Sequence, residues 1–135
     1  MIGEKYAGDF LEDERTGRGV YYYPNGDKYI GCLKNGMREG LGEYFYENGD
    51  KYEGEWTNDK KEGQGLFIFF NGGKYEGEWK NNKMQGLGLM ACANDDVYEG
   101  EWLEGKKEGK GRYVWGEGGG YEGVWKNDLI VELGD

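Results

Sequence analysis

Large apolar and polar residues alternate along this chain in short runs. Tyr52, Gly54 and Trp56 fall on one side of a strand and Glu53, Glu55 and Thr57 on the other, the period of two that marks a half-buried β-strand. A second run follows in which Phe67 and Phe69 share a side. The polar stretch Asn58-Asp59-Lys60-Lys61-Glu62 is expected to form the loop between the two.

The pair of strands recurs. Tyr6, Tyr29, Tyr52, Tyr75, Tyr98 and Tyr121 stand 23 residues apart, and a fixed period of that length is the signature of a repeat architecture. With this tyrosine as place 0, place 2 is glycine in all six units and place 4 is Phe10, Leu33, Trp56, Trp79, Trp102 or Trp125. Places 11 and 13 form G-x-G in five units, from Gly17/Gly19 to Gly109/Gly111. Places 15 and 17 are again large and apolar, as in Tyr44/Tyr46, Phe67/Phe69 and Tyr113/Trp115. Asn25-Gly26, Asn48-Gly49 and Asn71-Gly72 separate the units and offer the positive φ angles of tight hairpin turns.

The pattern predicts an all-β fold, a single elongated, twisted antiparallel sheet of stacked 23-residue β-hairpins. One domain, 1–135, comprises units 6–28, 29–51, 52–74, 75–97 and 98–120 and a partial unit 121–135. At about 4.8 Å between strands, each unit advances the sheet by roughly 10 Å. A lone sheet with an aromatic face has to shelter that face itself. Glycines at places 2, 11 and 13 share the face with the rings and leave gaps over which rings can lie flat, and they permit the bend of a gutter with an aromatic concave side. Burying a ring is worth on the order of 2 kcal/mol, so about four per unit offset a low hydropathy.

Composition narrows the function. The charge is -10, from 17 Lys and Arg against 27 Asp and Glu, with no histidine and 16% aromatic residues. Such a field disfavours nucleic acid and makes an anionic membrane an unfavourable partner. The absence of histidine removes the commonest general base and metal ligand. No catalytic, cofactor-binding or metal residue is assigned. Cys32 and Cys92 fall on opposite faces by parity, lack CxxC spacing and read as small apolar residues in a reducing cytosol.

Tyr75-Glu76-Gly77-Glu78-Trp79-Lys80-Asn81 followed by Gly86-Leu87-Gly88 resembles the MORN (membrane occupation and recognition nexus) repeat, as does Tyr52-Glu53-Gly54-Glu55-Trp56 followed by Gly63-Gln64-Gly65. The resemblance implies an elongated scaffold that binds proteins and sometimes pairs end to end. It points to a cytoplasmic protein of a cytoskeletal or ciliary, radial-spoke-like assembly. Two alternatives are a phosphoinositide or membrane-tethering module, and a regulatory segment of a larger enzyme such as a lipid kinase or SET-domain methyltransferase. One departure from the family stands just before the G-x-G, where Thr16, Glu39, Glu62, Gln85 and Glu108 occupy a place often held by histidine.

The candidate site is the strip of rings at places 4 and 17. Tyr46, Trp56, Phe69, Trp79, Trp102 and Trp115 are expected to line the gutter and seat a partner helix or peptide. The paired carboxylates Glu53/Glu55, Glu76/Glu78 and Glu99/Glu101 read as a solvated outer face, because their repetition marks no unique cleft. Place 16, with Tyr22, Phe45, Ile68, Ala91 and Val114, forms an apolar stripe on that outer face and reads as cross-strand packing. The array shows no polar capping unit, so self-association through edge strands is also expected.

Overall fold

The computed structural model describes residues 5–11 and 14–134, with side chains from Arg18 onward. The rings of Tyr6 and Phe10 lie outside the described side chains. Each repeat contributes two strands. They are β1 (Lys5–Leu11), β2 (Glu14–Tyr22), β3 (Lys28–Lys34), β4 (Met37–Phe45), β5 (Lys51–Thr57), β6 (Lys60–Ile68), β7 (Lys74–Lys80), β8 (Lys83–Ala91), β9 (Val97–Leu103), β10 (Lys106–Val114), β11 (Gly120–Lys126) and β12 (Leu129–Leu133). All twelve pair antiparallel in chain order in one open sheet, as the alternation predicts.

The pairing register lines up a row of glycines across the whole sheet. Gly31 faces Gly42, Gly42 faces Gly54, Gly54 faces Gly65, and so on to Gly111 and Gly123. The place-0 tyrosine lies flat on this row. A Cβ added to Gly65 would come within 2.5 Å of the Tyr52 ring and hydroxyl, and one added to Gly54 would meet the backbone of Gly65 at 2.5 Å. The glycines at places 2 and 13 therefore serve space, as the sequence suggested; at place 11 the expectation fails, because Gly63, Gly86 and Gly109 take positive φ and a Cβ there would meet the carboxylates of Glu55, Glu78 and Glu101, not a ring.

The turns differ from the expectation. The loop read over residues 58–62 shrinks to Asn58 and Asp59, both at positive φ, with Thr57 already paired to Lys60. Asn and Asp tolerate that conformation and so close a two-residue hairpin, which releases Lys60, Lys61 and Glu62 into β6. Between units the Asn-Gly step is a longer turn. Gly26 alone takes a positive φ, its N–H donates to Tyr23 O, and Tyr23 N–H donates to Asp27 O. A bulge between Gly54 and Trp56, repeated in the other full units, then brings place 9 opposite place 4.

Candidate binding face

The floor of the aromatic face is built from two ring types. Tyr29, Tyr52, Tyr75 and Tyr98 are fully buried, although among the described residues no second layer covers the sheet. Indoles supply the cover. Tyr52 sits edge-on between Trp56 and Trp79, at 5.1 and 5.2 Å, and Tyr75 and Tyr98 repeat the arrangement. These edge-to-face pairs add to simple area burial. The polar atoms are satisfied by backbone: Tyr52 Oη donates to Glu55 O, and Trp56 Nε1 donates to Gly42 O of the preceding unit. Burial raises the Tyr52 and Tyr75 phenols well above their usual range.

Above the indoles stands a layer that the sequence did not reveal. Place 9 holds Arg38, opposite Leu33, and Lys61, Met84 and Lys107, each opposite the tryptophan of its own unit. The Arg38 guanidinium lies 4.7 Å over Trp56 and 5.0 Å over Tyr44. The Lys61 ammonium is 5.3 to 5.8 Å from the centres of Tyr46, Tyr52, Trp56, Phe67 and Trp79. Lys107 is placed alike over Tyr98, Trp102, Tyr113 and Trp125. Cations are attracted to ring faces, and their long stems cover apolar area. Parity within the presumed loop carried the signal, but the register could not be counted without the bulge.

Place 9 is also where one hairpin is tied to the next. Asp59 Oδ1 accepts from the Arg38 N–H and Nε, at 2.9 and 2.7 Å, and Asp59 N–H donates back to Arg38 O. Lys61 with Asn82 and Lys107 with Asp128 repeat the backbone part of this exchange. At the other end of the strands Asp27 and Asp96 do similar work. Asp27 accepts from Tyr44 Oη and Glu47 N–H, and Asp96 from Tyr113 Oη and Gly116 N–H. The Gly116 N–H, with the Tyr113 hydroxyl, holds the Asp96 carboxyl below its usual range, and the Tyr113 phenol is pushed up to about 12 by the same bond and by burial.

The six candidate rings separate into two levels. Trp56, Trp79 and Trp102 are buried in the floor. Tyr46 and Phe69 are half-buried, and Trp115 is 44% exposed, so place 17 forms the accessible rim. In the fourth unit the repeat pattern thins: place 9 is Met84, place 15 Met90 and place 17 Cys92, and in the turn of the fifth unit Gly105 stands where the units on either side have Asn82 and Asp128. A hollow of about 360 Å³ opens there, walled by Phe69, Met84, Met90, Cys92, Trp102 and Lys107.

The opposite face carries the carboxylates, and several are structural. Glu55, Glu78 and Glu101 accept the N–H of Gln64, Leu87 and Lys110 across the bulge. Glu39, Glu62 and Glu108, together with Gln85, accept from the turn of the next unit. That is the role taken at the place where relatives often have histidine. Lys28 and Lys51 flank the Phe45 ring, which interrupts the apolar stripe. Leu41 and Leu87 remain exposed on this face. Cys32 and Cys92 are both free. Among the described residues no group of three or more side chains is arranged to hold a metal ion, and no helix is long and apolar enough to cross a membrane.

Identical hairpins stacked in one open sheet and tied to their neighbours at fixed places define a β-repeat array, a class that offers an extended surface and no single cleft. The family model described as MORN repeat matches residues 6–28, 29–51, 52–74, 75–97, 98–120 and 121–134, and the chain belongs to that family of interaction modules. No curated protein matches it. Among solved structures, the SAS-4 (dCPAP) TCP domain in complex with a proline-rich motif of Ana2 (dSTIL) of Drosophila melanogaster is similar at 14% identity and a TM-score of 0.44, over 90% of this chain and 78% of that one.

Proposed function

We propose that this array is a non-catalytic scaffold that holds a partner protein on its aromatic face, gripping an extended or helical segment between the place-17 rings. The observation that carries this reading is the hollow of about 360 Å³ beside Phe69, where the repeat gives up its large side chains for two methionines and a cysteine. A regular array needs no such gap for stability, since filling it would bury more apolar surface. Methionine walls adapt to an incoming side chain; Phe69 offers a half-covered ring in the wall of the gap, and Trp115 holds the same place two units along, 44% exposed.

The test is retention of partners from native extract, identified by mass spectrometry. Phe69→Ser and Trp115→Ser alter the rim, and Leu41→Ser alters the opposite face without touching it. A partner held by wild type and by Leu41→Ser but released by both rim variants supports the proposal. Equal retention by all four proteins, each folded by near-ultraviolet circular dichroism, refutes it.

A further inference from the structure

Among the described residues, each charged place-9 side chain on the aromatic face has a partner in the turn of the next hairpin. Arg38 and Lys107 have Asp59 and Asp128 within 4.0 Å. Lys61 has Asn82, whose Oδ1 accepts the Lys61 backbone N–H at 2.9 Å and which brings no negative charge. Lys61 is 9% exposed, and among the described residues it forms no ion pair. Its ammonium still touches solvent, because no described side-chain nitrogen or oxygen is sealed away without a hydrogen-bond partner. A buried cation lacking a counter-charge is costly until one arrives.

We propose that Lys61 and Asn82 form a carboxylate-binding site in the middle of the aromatic face, taking an Asp or Glu side chain of the segment that occupies the groove. The site rests on the groove reading above and adds the chemistry of the occupant. Lys61 supplies the charge, and the Asn82 amide, its oxygen already engaged, supplies a second donor through Nδ2. One carboxylate balances one ammonium. A phosphate would add excess negative charge to a chain that already carries -10. Geometry adds a spacing rule. Lys61 and Met84 occupy the same place in adjacent units, roughly 10 Å apart at two strand spacings. The carboxylate therefore lies about three residues along an extended segment from the apolar side chain that fills the hollow. Burial, and next the Arg38 guanidinium, pull the Lys61 ammonium down to about 8, as befits a cation short of negative charge.

The repeats themselves provide the test variants. Lys61→Met copies Met84, and Asn82→Asp copies Asp59 and Asp128, placing a counter-charge inside the site. A phage library of random 12-residue peptides is selected on the whole chain. The best binder and its Glu→Gln or Asp→Asn form are then titrated by fluorescence anisotropy. We expect an acidic residue near a large apolar one, a loss of roughly tenfold or more on Lys61→Met and on Asn82→Asp, and no further loss when the peptide carboxylate is also removed. Binders that need Phe69 but ignore Lys61 and Asn82, or that lack a required carboxylate, overturn the anchor and leave the groove standing. Binders indifferent to Phe69→Ser, or no binder at all, overturn both.

Discussion

Adding one methyl group at Gly65 tests whether ring and glycine are fitted to each other. In Gly65→Ala the new Cβ would stand 2.3 Å from Tyr52 Oη, 2.4 Å from Cε1 and 2.5 Å from Cζ. Ordinary carbon contacts are about 3.5–4.0 Å, so the ring has to move by more than 1 Å. It has nowhere to go in place, since Trp56 and Trp79 hold both its sides. Swinging out forfeits about 2 kcal/mol of burial and about 1 kcal/mol for the bond to Glu55 O. The lost edge contacts add about 1–2 kcal/mol, and the stiffer unfolded chain returns about 0.7 kcal/mol. The net cost is about 3–4 kcal/mol. Gly72→Ala is the control: its φ is +98° with nothing within 4 Å, so only backbone strain of about 1–2 kcal/mol applies. Urea unfolding followed by tryptophan fluorescence and by circular dichroism measures both. On a Tyr52→Ala background the Gly65→Ala change should become nearly neutral. If Gly65→Ala costs no more than Gly72→Ala, or costs as much without the Tyr52 ring, the ring-over-glycine account is wrong.

Lys61 makes stability depend on pH in a defined window. Its folded pKa of about 8 lies below the usual ~10.4, so between those values the unfolded chain binds more protons and stability rises with pH. The buried phenols have raised pKa values, about 12 for Tyr46 and Tyr98, so above pH ~10 they work in the opposite direction. The urea midpoint of wild type should therefore climb between pH 8 and 10 relative to Lys61→Met, and parallel curves would contradict the assignment. Asp59→Asn keeps the turn and the acceptor for the Arg38 N–H but removes the charge. A loss of about 1 kcal/mol at low salt that shrinks in 0.5 M salt is expected from urea titrations, whereas a salt-independent loss would mean that Asp59 acts only through its turn.

Fold and face were legible because the alternation, the period and the glycine places all specify the same register. The rings at place 0 and place 4 needed only counting, and Tyr52 and Trp56 are where the count puts them. What escaped was anything that depends on the bulge. Counted straight through, Lys61 belonged to a solvated loop, and only the shift between Gly54 and Trp56 turns it onto the indoles. The same shift hid the work of Glu55, because a carboxylate on a regular strand has no free N–H to accept from, whereas at a bulge the Gln64 N–H is available. The separation of rim from floor was illegible too. Trp79 and Trp115 look alike as letters, yet Trp79, at place 4, is held edge-on between Tyr52 and Tyr75, whereas Trp115, at place 17, stands 44% exposed on the rim.

Place 9 shows which part of a side chain the fold requires. Arg38, Lys61, Met84, Lys107 and Ile130 all stand opposite the place-4 side chain. Their shared property is an apolar stem long enough to lie across rings; charge is not shared. A one-layer sheet cannot close over its indoles, so it uses stems as a roof, and Met84 shows that this roof holds without an ammonium. The charge at this place is then free to serve something else. At Arg38 and Lys107 it joins neighbouring hairpins through Asp59 and Asp128. At Lys61 no described carboxylate uses it, while its desolvation still disfavours the folded state. A substitution that the fold tolerates in the next repeat, at a position where the native residue is costly, places the benefit of Lys61 outside the folding of the isolated chain. On this face a ligand carboxylate supplies that benefit, which is why Lys61→Met should stabilise the free protein even as it weakens the complex.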